Sequence, residues 1–318
     1  NMGPQHPSTH GVLRVVLRLD GEKVVDLDVV IGYLHRGIEK LSENRNWTQI
    51  ILLTDRMDYV AAATSNVGYC QTVEKMMAIE VPRRARYVRT ILCELQRIAS
   101  HCLWIGTHAM DIGAMTVFLY AFRERELILD LFESLVGARL LYGFHQVGGT
   151  RYDIPPDWAK TCRDTVDLID KRIDEYQKML EENSFFLVRT QGVGLISREL
   201  AEDVGISGPL LRGSGVAYDL RRAEPYSSYE DFDFKVPVET AGDCFARYRV
   251  RMGEFRQAIA IIRQALDKLP SGPISSRPAL KSVAQIRIPK GESYARVEGP
   301  RGEVGSYMVG DGSAKPYR

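Results

Sequence analysis

Cys162, Val166, Ile169, Ile173, Tyr176 and Leu180 recur at alternating spacings of four and three, as do Phe245, Tyr248, Met252, Phe255, Ile259, Ile262, Leu266 and Leu269. Strand side chains alternate with a period of two and cannot gather such residues on one face, whereas a helix can. Each run therefore defines a long helix with a narrow apolar seam, and the two seams predict an antiparallel pair across a helical bundle. Residues 86–107 carry a broader stripe (Val88, Ile91, Leu92, Leu95, Ile98, Ala99, Cys102, Ile105), and Pro82 stands where helix starts tolerate it. Residues 115–141 are largely apolar apart from a few charges, chiefly Arg123-Glu124-Arg125-Glu126. They predict a central buried helix whose charges pair with one another or with neighbours.

The ends read differently. Residues 12–19 and 24–31 flank the turn signal Asp20-Gly21, and 294–298 and 303–309 flank Gly299-Pro300-Arg301-Gly302, so each end predicts a β-hairpin. A short helix is expected from Gly37, and another over 58–79 with small residues along one side. The Gly-, Ser- and Pro-rich stretch 192–238 reads as short strands and turns. The fold class is α+β: a central helical bundle with β-hairpins at the N- and C-terminal ends. The expected organisation is an N-terminal β-hairpin region over 1–35, a helical bundle over 36–270 with an irregular insertion at 192–238, and a C-terminal β region over 271–318. An end at Arg318 so soon after a β pattern, and a first residue that is Asn, lead us to expect further residues on both sides.

Composition excludes several functions. Lys and Arg number 42 against 41 Asp and Glu, so no global field recruits nucleic acid or an anionic membrane. The charge-free run over residues 59–73 falls short of the roughly 18 to 20 apolar residues of a membrane-spanning helix, and no signal peptide is visible. Five cysteines without a CxxC spacing read as reduced thiols, not as a zinc or iron-sulfur site. A nucleophile elbow, a phosphate loop and a Rossmann fingerprint are all missing.

The chemistry-bearing stretch is Gly3-Pro4-Gln5-His6-Pro7-Ser8-Thr9-His10-Gly11. Its prolines and glycines make an ordered loop, so His6 and His10 do not share a helical face, and a helical zinc pair is disfavoured. Two such histidines read either as hydrogen-bonding staples or as chemistry. Tyr59 falls at a helix start, and Asp111 in the break Gly106-Thr107-His108-Ala109-Met110-Asp111-Ile112-Gly113. With His10 they make either a proton-donating set or separately satisfied structural groups.

At these residues the sequence closely resembles the 49-kDa-type subunit of respiratory complex I, the bacterial NADH-quinone oxidoreductase. The matching stretches are the loop just quoted with Val12-Leu13-Arg14, Gly32-Tyr33-Leu34-His35-Arg36-Gly37-Ile38-Glu39-Lys40, Arg56-Met57-Asp58-Tyr59, Asp111-Ile112-Gly113-Ala114-Met115-Thr116, Phe122-Arg123-Glu124-Arg125-Glu126, and Leu211-Arg212-Gly213-Ser214-Gly215-Val216 with Asp219-Leu220-Arg221-Arg222. The resemblance implies the fold of the nickel-iron hydrogenase large subunit and, as substrate, a quinone whose headgroup lies between His10 and Tyr59. It implies that Asp111 pairs with His10, and that Arg36 and Arg56 lie near a terminal 4Fe-4S cluster held by a partner subunit, with no metal bound by this chain. The implied partners are the small cluster-bearing subunit, the 30-kDa-type subunit and the membrane arm. The implied place is peripheral, on the cytoplasmic face of the bacterial inner membrane, or the matrix side in a mitochondrion.

Three departures stand out: Leu141 where many members have histidine, Gln146 where they have arginine, and a short region at 272–283. His145 is the one imidazole close by in sequence that could replace the missing one. A nickel-iron hydrogenase-type subunit is a competing reading, but it needs two CxxC pairs, and where the first would fall the chain reads Met57-Asp58-Tyr59-Val60-Ala61. A scaffold that had lost its site would have His10 and Tyr59 replaced, and both are present. A ferredoxin-fed photosynthetic relative stays open, since electron input lies in other subunits.

Overall fold

The computed structural model of the chain describes residues 1–5, 11–276 and 287–318. It divides into two compact units, Asn1–Leu41 and Ser42–Arg318. In the first, β1 (Arg14–Asp20) and β2 (Lys23–Val30) form the expected antiparallel hairpin, in register from Arg14 opposite Val30 to Asp20 opposite Lys23. Gly21 supplies the left-handed φ of 59° at its turn. Met2 bridges to Val15 through backbone bonds of 2.8 and 2.7 Å. The short helix after Gly37, α1 (Ile38–Ser42), begins at the end of this unit.

The second unit contains, in order, α2 (Trp47–Thr54), α3 (Ala62–Met76), α4 (Arg83–Asp111), α5 (Met115–Val136), β3 (His145–Gln146), β4 (Gly149–Thr150), α6 (Pro156–Glu181), α7 (Ser184–Thr190), α8 (Arg198–Asp203), α9 (Gly208–Gly213), α10 (Leu220–Ala223), α11 (Cys244–Asp267), β5 (Gly291–Gly299) and β6 (Gly302–Gly310). The seam residues of α6 are all buried, as are Tyr248, Met252, Phe255, Ile259 and Ile262 of α11. They join Ile91, Leu95, Ile98, Cys102 and Ile105 of α4 and Ile128 and Phe132 of α5 in one core. Each large aliphatic side chain so buried contributes roughly 1.5–3 kcal/mol relative to exposure. The two seamed helices run antiparallel, as ion pairs along their edges show: Arg249 to Glu181 (3.1 Å), Arg256 to Asp170 (2.7 Å), Arg263 to Asp167 (2.6 Å) and Arg163 to Asp267 (2.5 Å).

The charges of α5 are paired as expected except Arg125, whose Nε is unbonded and whose guanidinium lies over the Phe122 ring at 5.8 Å. Glu124 is buried, accepts a bond from Arg123 Nε at 2.7 Å, and is also reached by the Tyr176 hydroxyl. The small side of α3 lets the C-terminal hairpin come close: a Cβ on Gly68 would stand 3.2 Å from Val297. Val67, Cys93 and Val297 are buried together there.

Three local expectations are corrected. The helix expected to reach residue 141 stops at Val136, because Gly137 takes φ 80° and closes it. His145 is consequently on strand β3, not near a helix end. The stretch 192–238 forms short helices, not strands, since Ser197 and Asp219 cap α8 and α10 with their side chains. Two helices were unforeseen: α7, capped by the Asn183 side chain, and α2, which starts at a capping box in which Asn46 Oδ1 accepts from Gln49 N (2.9 Å) and Gln49 Oε1 from Asn46 N (3.2 Å). Among the described residues, no helix is long and apolar enough to cross a membrane.

Candidate functional site

Tyr59 occupies the loop of residues 55–61 between α2 and α3, and it is 51% exposed while Val60 and Ala61 behind it are buried. The loop is tied down from beneath. Asp58 Oδ1 accepts from Val60 N at 3.1 Å, the Val60 carbonyl accepts from Gln96 Nε2 of α4 at 2.9 Å, and Asp58 forms an ion pair with Arg301 of the β5–β6 turn. Arg56, exposed on the same loop, donates from Nη1 to the Leu52 carbonyl. Asp55 is fully buried, and only its Oδ2 is bonded, to Gly143 N at 2.8 Å. Burial pushes its carboxyl up to about 6, against the opposing Gly143 bond and Arg56 charge.

Asp111 is the last residue of α4 and is exposed. From Gln96, which braces the Tyr59 loop, it lies about 22 Å along the axis of the same helix, at 1.5 Å per residue. Between them, His108 stacks on Trp104 with centroids 5.7 Å apart, and the Arg251 guanidinium lies 4.8 Å over the Trp104 ring. Burial, opposed by Glu254 and reinforced by Arg247, brings Arg251 down to about 10. Arg36 belongs to the first unit, is exposed, and donates from Nε to the Leu34 carbonyl at 3.1 Å. His10 lies outside the described residues. The structure thus brings Arg56 and Tyr59 onto one loop and puts Asp111 on the helix that braces it.

Beneath the loop is a lattice of buried charge that sequence reading missed. Arg97, Arg212 and Arg221 face Glu94, Asp219, Glu254 and Glu298, all 0–1% exposed. Arg212 donates to Glu254 at 2.6 Å and to Glu298 at 2.9 Å; Arg221 donates to Asp219 at 2.7 Å and to Glu94 at 3.1 Å. Tyr229 Oη donates to Glu94 at 2.6 Å. Burial would raise the Glu94 carboxyl, but the Arg97 and Arg221 charges together outweigh it and hold it below the usual range. Burial raises the Glu298 carboxyl, Arg212 only partly offsets this, and Asp219 adds to the rise. Burial lowers the His101 pKa against the opposing Glu254 bond and charge; its Nε2 lies 2.8 Å from that carboxylate, which can only accept, so Nε2–H is the donor. Two stretches of the motif pattern, Leu211 to Val216 and Asp219 to Arg222, supply Arg212, Asp219 and Arg221. The i, i+3 pair Glu94–Arg97 amid the apolar stripe of α4 was the further sequence signal.

Arg97 also donates to the carbonyls of Glu298 (2.7 Å) and Gly299 (3.1 Å), gripping the β5–β6 turn. On its other side Glu303 N donates to Ser207 Oγ at 3.0 Å, and a Cβ on Gly208 would stand 2.4 Å from Gly302 Cα. Gly208 has φ 68°, so Gly208→Ala carries both backbone strain and a clash. It is expected to destabilise the chain by more than about 1 kcal/mol in denaturant titration, whereas Gly192→Ala, whose Cβ meets nothing within 4 Å, should show strain alone and a smaller loss.

Cys70, Cys93, Cys102 and Cys162 are buried thiols, and burial raises Cys93 to about 12. Among the described residues, no three His, Cys, Asp or Glu side chains gather into a metal-binding group.

Known structures first define the class. The chain matches one chain of the membrane-bound sulfane sulfur reductase, an archaeal respiratory membrane complex, with a TM-score of 0.96 and 38% identity, covering 100% of this chain and 86% of that one. The two chains therefore share one fold. Residues 111–318 match the family described as the 49 Kd subunit of respiratory-chain NADH dehydrogenase. The corresponding NADH-quinone oxidoreductase subunit of Desulforamulus reducens is 52% identical over all of this chain and 86% of its own length, and that of Geotalea uraniireducens is 51% identical over all of this chain and 87% of its own. The chain belongs to the 49-kDa subunit family of the respiratory NADH dehydrogenases, as its motifs led us to expect.

Proposed function

We propose that this chain forms the quinone-reduction site of a complex I-type NADH-quinone oxidoreductase, with the headgroup between His10 and Tyr59. The observation that carries the reading is the Tyr59 phenol, half exposed on a loop braced from three directions. A terminal 4Fe-4S cluster, held by the small partner subunit, would supply the electrons, and Arg56 and Arg36 are the residues of this chain that would lie near it. The doubly reduced quinone takes one proton from the Tyr59 hydroxyl and one from the His10 imidazolium, giving the quinol. Asp111 stabilises that imidazolium and loses its partner when the proton leaves, which supplies a local trigger for remote coupling. The chain works as a peripheral subunit on the cytoplasmic face of the membrane, beside the small cluster-bearing subunit, the 30-kDa-type subunit and the membrane arm. Affinity purification tests the assembly: those subunits are expected to come with it, and recovery of a solitary chain from native membranes would contradict the reading.

A second reading has its own support, because a chain of this fold also serves in the membrane-bound sulfane sulfur reductase, a complex named for a different acceptor. Purified complex settles the choice by whether a quinone or another acceptor is reduced.

One consequence concerns the cluster. His145 is fully buried with both ring nitrogens unbonded, and burial, then the Arg89 charge, holds its pKa well below the ordinary value. Leu141, in the left-handed region at φ 62°, cannot titrate. On this reading neither residue is expected to take up a proton when the cluster is reduced. The cluster midpoint is expected to be nearly independent of pH between about 6 and 8, suited to a low-potential quinone such as a menaquinone. Electron paramagnetic resonance redox titration checks this. A slope near the roughly 59 mV per pH unit of a one-proton, one-electron step that vanished in His145→Leu would identify His145 as the proton acceptor instead.

A further inference from the structure

We infer that Arg301 is a positioning residue for Tyr59: the charged tip of the β5–β6 turn grips Asp58 and so determines where the phenol is presented. The inference rests on the reading of Tyr59 as a proton donor.

The turn itself is unusual. Pro300 and Arg301 are its two residues between the paired Gly299 and Gly302, and neither has positive φ. Two-residue hairpins favour turns with positive φ at the first position, which proline cannot adopt. The local preference is overridden by a cradle: Arg97 of α4 on the carbonyls before the turn, Ser207 on the amide after it, and Gly208 against Gly302. A turn held on these sides presents its one charged side chain in a fixed direction. That side chain, 60% exposed, meets Asp58, 23% exposed.

Asp58 passes the constraint on. The carboxylate that pairs with Arg301 also accepts from Val60 N, and the Val60 carbonyl is held by Gln96. Gln96 and Arg97 are consecutive on α4, so one helix turn fixes the Tyr59 loop through the first and the Arg301 turn through the second. Local rules broken at a rigidly supported surface turn are the mark of a placed group. An exposed ion pair adds little to stability by itself, but a misplacement of about 1 Å at a reacting group can cost about a hundred-fold in rate.

The test uses the assembled complex with a short-chain quinone. Arg301→Gln is expected to lower kcat by about ten-fold with KM changed by less than about two-fold, since contact with bound quinone is untouched. Arg301→Lys, which keeps the charge, should retain most of the rate. Asp58→Asn should reproduce the Arg301→Gln loss, and the two together should lose no more than either. In a Tyr59→Phe background Arg301→Gln should add nothing further. Full activity of Arg301→Gln, or a loss that multiplies with that of Tyr59→Phe, would overturn the positioning role while leaving the Tyr59 assignment standing. If Tyr59→Phe itself turns over normally, the quinone-site reading fails and this inference with it.

Discussion

Tyr59→Phe in the assembled complex is expected to lower quinone reductase turnover by roughly ten-fold or more while leaving assembly intact. A positioned proton donor is typically worth about a hundred-fold or more, and water can substitute in part, which sets the smaller figure. Only a hydroxyl is removed, and that hydroxyl takes no part in the bonds that hold the loop, which run through Asp58, Val60 and Gln96. The melting temperature should therefore hardly move. Unchanged turnover with a native quinone would make Tyr59 a structural residue.

Glu94→Ala is expected to act in the opposite way, through the fold. The change leaves Arg97 and Arg221, both fully buried, short of their shared carboxylate and removes the acceptor of the Tyr229 hydroxyl. Deleting one member of a buried ion pair costs about 3–5 kcal/mol, a large part of the roughly 5–15 kcal/mol that stabilises a typical domain. The variant should accumulate poorly and assemble into little complex, and surviving material should melt well below the parent. A loss under about 1 kcal/mol in denaturant titration, far short of that cost, would mean that the lattice relaxes or admits water, and that Arg97 does not depend on it to hold the β5–β6 turn.

The seams of α6 and α11 were legible because burial on one helical face leaves a periodic trace that no other structure produces, and their antiparallel contact followed from it. Both terminal hairpins were legible for the complementary reason, a polar turn between extended runs. What periodicity alone hides are the stops and starts. The apolar pattern of α5 continues past Val136, but Gly137 ends the helix through its backbone; α2 is announced by Asn46 and Gln49, a two-residue signal easily passed over in a polar stretch. Residues 192–238 look like turns because Gly, Ser and Pro dominate, yet Ser197 and Asp219 are used there as helix caps.

The candidate site divides along the same line. Arg56, Tyr59 and Asp111 were found by motif resemblance, which locates residues but not their supports. The supports are tertiary: Glu94 meets Arg221 across 127 positions and Arg97 reaches Glu298 across 201, and no local pattern pairs such residues in advance. Charged residues on an otherwise apolar helix were the trace they left. The same holds for Arg301, a turn residue by sequence that becomes a partner of Asp58 only once the hairpin is seated on α3.

The decisive measurement is a structure of the assembled complex with a quinone bound. The proposed site requires a headgroup oxygen within about 2.6–3.2 Å of the Tyr59 hydroxyl and the other within hydrogen-bond reach of His10. A headgroup bound elsewhere, with Tyr59 and His10 more than about 15 Å apart or facing away from each other, beyond what one ring and its hydrogen bonds can span, would contradict it.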